Sequence, residues 1–152
     1  MAAKTVGEII RTTLGPLGMS KMLVGGTGDI VITSDGATIM KECDVQHPAA
    51  KMLVEVAKSQ DNEVGDGTTT AVVLAAELLS RAQELMDQEV HPTIIIDGYK
   101  KASAEALRIL DSLAIPVDPK DTKTLRQIAS TSMGTKAVAT SKDFLAQIAT
   151  SA

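Results

Sequence analysis

A chain that is 44% apolar but only 1% aromatic must build its interior from aliphatic side chains. Tyr99 and Phe144 are its lone tyrosine and phenylalanine, and it has no tryptophan. Leu, Ile, Val, Met and Ala are left to supply the core. Sandwiches and barrels draw on β-branched and aromatic residues for their strands, whereas Ala, Leu and Met favour helices. The expected fold is therefore mainly α, a bundle of long amphipathic helices with a small β element. At 152 residues the chain has the length of one domain. A chain of that size buries about 70% of its unfolded surface, enough for a real core.

Several classes are excluded early. Fifteen basic and nineteen acidic side chains give a net charge of −4, which argues against a nucleic-acid surface. No apolar run approaches the roughly 20 residues of a membrane span. The opening MAAKTVGEII lacks the apolar stretch of a secretory signal. A lone Cys43 excludes an internal disulfide and a cysteine zinc cluster, so a reducing, cytoplasmic setting is expected. His47 and His91 each precede a proline and read as helix-entry residues rather than metal ligands. The seven Met suit a plastic core or an interface.

Punctuation divides the chain. A helix is expected from Lys4 to Leu14, stopped by Gly15-Pro16. A loop with one helical turn around Ser20 to Leu23 follows, then a GGTGD turn and a strand over Ile30 to Thr33. Asp35 can cap a short helix from Ala37 to Cys43. Pro48 opens a helix that ends near Val64, with Ala49, Met52, Leu53, Val56 and Ala57 at helical spacing. Thr68 opens the next, with Ala75, Leu78, Leu79, Ala82 and Leu85 as its inner face. Pro92 opens another, with Ile95, Tyr99, Ala102, Ala106, Ile109 and Leu113 facing inward. A short helix from Asp121 to Ser130, a loop STSMGTKAVATS and a helix from Lys142 to Ala152 complete the chain.

The strongest chemical signal is Gly65-Asp66-Gly67-Thr68-Thr69-Thr70. A helix start offers unpaired N–H groups and partial positive charge, which suit a phosphate. The glycines admit a ligand close to the backbone, and the threonine hydroxyls add donors. Asp66 alone would repel phosphate, so its presence suggests a bridging Mg²⁺. The competing reading is a plain helix break with a threonine N-cap. Thr13-Leu14-Gly15-Pro16 is either a second ligand-facing loop or an ordinary helix end. Thr33-Ser34-Asp35-Gly36 is either a functional carboxylate at a strand end or an ordinary turn. The motif GxxxxGK[ST] does not occur. GGTGDIV lacks the last glycine of GxGxxG and precedes its strand, so it is no dinucleotide fingerprint.

Taken in order, RTTLGPLGMSKML, GDIVITSDGATIMKE, HPAAKMLVEVAKSQDNEVGDGTTTAVVLAAELL, HPTIIIDGYKKA and TSMGTK closely resemble the N-terminal part of the equatorial domain of group II chaperonins. That family includes the archaeal thermosome and the eukaryotic cytosolic chaperonin subunits. The resemblance implies an ATP- or ADP-binding, Mg²⁺-dependent site. Asp66 would be the Mg²⁺ ligand, and Gly67, Thr68, Thr69 and Thr70 the phosphate cradle. Leu14, Gly15 and Pro16 would pack on the nucleotide. Asp35 would help position the attacking water, and Lys136 would belong to a nucleotide-sensing loop.

The resemblance also implies partners: other chaperonin subunits in a homo- or hetero-oligomeric double ring, and non-native proteins bound through an apical domain. Against that pattern, residues 1–152 correspond to the N-terminal half of the equatorial domain. The intermediate, apical and C-terminal equatorial parts are expected to be absent from this chain. The chain is expected to lack hydrolysis by itself, although complete family members are ATPases. An alternative is a self-associating structural module without nucleotide function. A third reading, a small phosphotransferase, lacks an evident general base and acceptor pocket.

Overall fold

A computed structural model describes residues 2–26, 28–43, 45–134, 136 and 138–152. Among the described residues the chain is mainly helical with one small sheet. Helix α1 covers Ala2–Arg11 and is followed by a hairpin of β1, Lys21–Val24, and β2, Ile30–Thr33. Helices α2, Gly36–Glu42, α3, Pro48–Val64, α4, Thr68–Asp87, and α5, Pro92–Leu113, come next. Helix α6, Thr122–Met133, a short 3₁₀ turn at Ala139–Ser141, and α7, Lys142–Ser151, close the order.

The capping chemistry accounts for most of the helix starts. The Asp35 carboxylate accepts from the Thr38 N–H at the start of α2. His47 and His91 accept through Nδ1 from the N–H groups of Ala49 and Thr93, each with proline at the first helical position. They are helix-entry residues, as the His-Pro pairs suggested. Asp121 caps α6 through Lys123 and Thr124.

The strand pairing departs from expectation. Residues Ser20 to Leu23 do not make a helical turn, because Lys21–Val24 pairs antiparallel with Ile30–Thr33. The register sets Met22 opposite Ile32 and Val24 opposite Ile30. Alternation then turns Leu23 toward the core and leaves Met22, Val24, Ile30 and Ile32 exposed on the other face. Thr27, within the GGTGD turn, lies outside the described residues.

The core sits where α1, α2, α3 and α4 meet. Its fully buried members include Ile10, Ile39, Ala57 and Val72. One expected inner face is corrected here, and a second in part. On α4 the buried positions are Thr68, Thr69, Val72 and Ala76, while Leu78, Leu79 and Leu85 are exposed. On α3 they are Ala50, Leu53 and Ala57, while Ala49, Met52 and Val56 are exposed.

The reason is close approach. Gly7 of α1 lies directly against Ala76 of α4, leaving no room for a Cβ. Such a crossing selects small residues, and a search for bulky apolar stripes lands one face away. On α5 only Ile95 of the expected face is buried; Tyr99 is half-buried and donates its hydroxyl to the Leu78 carbonyl at 2.6 Å. Helices α6 and α7 pack on one another, and α6 runs to Met133, past the expected end at Ser130.

Two glycines should therefore respond in opposite ways to alanine. Gly98, inside α5, has open space where a methyl group would stand, with nothing within 4 Å. Gly98→Ala should stabilise the chain by about 1 kcal/mol through helix propensity alone. Gly7→Ala gains the same propensity but pushes α1 off α4, and overpacking of this kind costs about 1–3 kcal/mol. Urea denaturation should show a raised midpoint for the first and a lowered one for the second. Stabilisation by Gly7→Ala would contradict the close crossing.

Candidate functional site

The turn from α3 to α4 is built by two glycines in the left-handed region. Gly65 ends α3 at φ 73° and Gly67 precedes α4 at φ 75°. Side-chain-bearing residues rarely adopt this backbone, so the pair makes a sharp reversal available. Gly67, not a threonine, is the N-cap, and no side chain caps α4. The first N–H groups of α4 therefore keep no helical partner, as at any helix start. The Asp66 carboxylate lies over this turn, with Oδ1 accepting from the Gly67 N–H at 2.8 Å.

These residues line a cavity of about 560 Å³. Its walls include Leu14 and Gly15 after α1, Ser34 after β2, and Asp66, Gly67, Thr68, Thr69 and Thr70 at the turn. Lys136 also lines it. The structure thus brings together eight of the ten residues singled out from the sequence. Pro16 and Asp35 do not line the cavity. Pro16 is exposed beside Gly15.

Asp35 stands one contact behind the wall. Its Oδ1 lies 3.5 Å from Lys136 Nζ and 3.4 Å from the Thr68 hydroxyl that donates to it. Its Oδ2 accepts from the Thr38 N–H and hydroxyl, each at 2.9 Å. The carboxylate therefore both caps α2 and touches two cavity residues. Partial burial pushes its pKa up, but the Thr38 hydrogen bonds and the Lys136 charge outweigh burial and hold it below the ordinary 3.8. Gly36 makes this juxtaposition possible. A Cβ there would stand 2.6 Å from Thr69 Oγ1 and 2.8 Å from Thr69 N.

Sequence reasoning missed one whole wall. Thr124, Gln127, Ile128, Thr131 and Ser132 of α6 face the cavity. The first four recur at helical spacing, so the signal was present as a mostly polar stripe. A search for apolar faces passes over it. Ser132 donates its hydroxyl to Asp66 Oδ2 at 2.7 Å, joining α6 to the α3–α4 turn. Cys43 is half-buried, and burial pushes its thiol pKa up, away from a nucleophile's range.

The fold is thus a mainly helical core that sets a Gly-Asp-Gly-Thr helix start and a lysine around one cavity. Comparison with known proteins narrows it. Residues 6–152 match the TCP-1/cpn60 chaperonin family. Thermosome subunit beta of Archaeoglobus fulgidus is 60% identical over 152 residues, all of this chain and 28% of that protein. A thermosome subunit of Desulfurococcus sp. is 59% identical over 152 residues, again all of this chain and 28% of that protein. Thermosome subunit alpha of Archaeoglobus fulgidus is 60% identical over 133 residues, 88% of this chain and 24% of that protein.

The chain belongs to the TCP-1/cpn60 chaperonin family. Its resemblance is to the N-terminal portion of a group II chaperonin subunit. The matched stretch covers 24–28% of the length of these relatives.

The Asp35 environment carries a pH dependence. Its folded pKa lies below its ordinary value, so its contribution to stability is present above about pH 4 and lost as pH falls through the depressed pKa. Asp35→Ala should cost about 1 kcal/mol at pH 7, the usual worth of a helix cap. That cost should shrink at about pH 2.5 in urea denaturation, where the carboxyl is increasingly protonated. Lys136→Met should move the Asp35 carboxyl titration upward, read by carbon NMR. An unmoved titration would contradict the ion pair.

Proposed function

We propose that this chain forms the phosphate- and Mg²⁺-holding part of the nucleotide site of an ATP-dependent chaperonin subunit. The observation that carries the proposal is the start of α4. Gly67, Thr68, Thr69 and Thr70 line one cavity with Asp66 and Lys136. Unpaired helix N–H groups and hydroxyls there suit the phosphates of ATP or ADP. Leu14, Gly15 and Pro16 would pack on the nucleotide from the end of α1. Lys136 would meet the terminal phosphate, and Asp35 behind it would orient water for attack.

The donor set also fits Mg²⁺. Each Asp66 oxygen accepts one hydrogen bond, from Gly67 N–H and from the Ser132 hydroxyl, leaving lone pairs on both for a cation. No cluster of three His, Cys, Asp or Glu that could hold a metal occurs among the described residues. A Mg²⁺ here would be carried by one carboxylate together with substrate phosphates and water. When bound, Mg²⁺ would offset the phosphate charge that Asp66 alone would repel.

The family resemblance extends the reading to the protein as a whole. ATP turnover would drive closure around non-native protein, in rings of like or related subunits, in the cytoplasm. No nucleic-acid or membrane partner forms part of this reading. No helix among the described residues is long and apolar enough to cross a membrane. A second reading, self-association without nucleotide function, draws on the exposed apolar face of the hairpin, Met22, Val24, Ile30 and Ile32.

Calorimetry separates the two. Mg-ATP should bind the chain weakly, since exposed helix-terminus contacts contribute only about 0.3–1 kcal/mol each. Asp66→Ala should weaken that binding about tenfold or more, through the lost metal ligand. No heat from either protein at millimolar nucleotide would favour the association module and overturn the nucleotide reading, whereas equal binding by both would overturn the role of Asp66 as metal ligand.

A further inference from the structure

Ser132 links two parts of the chain that the sequence separates by 66 residues. Its hydroxyl, near the C-terminal end of α6, donates to Asp66 Oδ2 at 2.7 Å. The other Asp66 oxygen accepts from Gly67 N–H at 2.8 Å, and the Gln60 side-chain amide donates to the Asp66 carbonyl at 2.8 Å. Backbone and side chain of Asp66 are therefore held from three directions. The Gln60 and Gly67 bonds come from its own turn and would fix any aspartate placed there. The Ser132 bond comes from a different helix and sets the rotation of the carboxylate about its last torsion.

We propose that Ser132 is a positioning residue for Asp66, aiming its free lone pairs at a divalent cation in the cavity. This rests on the reading of Asp66 as a Mg²⁺ ligand. With only the Gly67 N–H on one oxygen, the carboxylate can still swing about its terminal torsion, and a cation has to select one orientation from several. A hydroxyl donating to the second oxygen pins both ends of the carboxylate before the cation arrives. Carboxylate ligands are commonly held in this way, and loss of the holding group lowers metal affinity by about 10–100-fold. Serine suits the task because its hydroxyl can rotate to donate to the carboxylate without adding charge that would compete with the cation. A lysine in its place would neutralise Asp66 and remove its reason to bind a metal.

The same geometry gives α6 a role that its polar face suggests. Thr124, Gln127 and Thr131 line the cavity together with the α4 threonines, and Ser132 ends that run at the carboxylate. The helix would therefore do more than close the cavity: it would orient the metal ligand.

The test compares ATP affinity in saturating Mg²⁺ with ATP affinity in EDTA, by calorimetry on the full chain. The ratio of the two measures the metal's contribution and is indifferent to general damage. In Ser132→Ala the ratio of the two affinities should fall about tenfold, whatever change the EDTA affinity itself undergoes. Ser132→Thr, which keeps the hydroxyl, should restore the ratio. A role limited to docking α6 would weaken both affinities together and leave the ratio unchanged, which would overturn the proposal.

Asp66→Ala provides the control. If it abolishes the metal dependence while Ser132→Ala retains the full ratio, the positioning role fails and the Mg²⁺ reading of Asp66 stands. If Asp66→Ala keeps the full ratio, the Mg²⁺ reading fails and the positioning role falls with it.

Discussion

The first turn of α4 seated on the first turn of α2 is the contact on which the rest of the site depends. Thr69 meets Gly36 so closely that no side chain fits at Gly36. Thr68 and Thr69 are buried there, although they are polar and stand at a helix start. Burying them at that place fixes where the unpaired N–H groups of α4 are presented. It also brings the Thr68 hydroxyl to Asp35, which caps α2 at the same junction. One carboxylate thus serves two helix starts, and the strand–helix corner and the glycine turn become parts of one wall.

The aliphatic core makes this precision possible. With little aromatic bulk, α1, α3 and α4 approach through Gly7, Ala50, Ala57 and Ala76. Close helices are stiff with respect to one another, because interiors packed this densely do not deform continuously. The four-helix core can then hold the α3–α4 turn steady from below. Across the cavity, Ser132 near the end of α6 reaches Asp66 of that turn, and Lys136 just beyond it reaches Asp35 at the start of α2. The site is therefore made between two packed groups of helices, and its two carboxylates, Asp35 and Asp66, are each touched by a residue from the α6 end.

Much of this was legible in the sequence, and the parts that were not share a cause. Helix starts at Pro48, Thr68 and Pro92 were readable because proline, glycine and capping residues act locally. Asp35 was readable as a cap for the same reason. Strand β1 was not, because Lys-Met-Leu-Val alternates weakly and becomes a strand only by pairing with Ile30–Thr33. The inner face of α4 was misplaced because tertiary approach rewarded small residues over leucine, whereas on α3 Leu53 and Ala57 are buried as expected. The α6 wall was missed because its stripe is polar and acquires meaning only in company with the α4 threonines. Contacts between segments, not the propensity of one segment alone, account for each of these gaps.

Amide NMR of the α3–α4 junction tests the central assignment most directly. Isotopically labelled chain would be titrated with Mg-ADP and, separately, with adenosine, which has the same base and ribose but no phosphate. If the helix start holds phosphate, Mg-ADP shifts the amide signals of Gly67, Thr68, Thr69 and Thr70 most strongly, and adenosine leaves them near their starting positions. Shifts of equal size with adenosine, or Mg-ADP shifts that bypass these amides, would contradict the assignment of α4 as the phosphate-binding element.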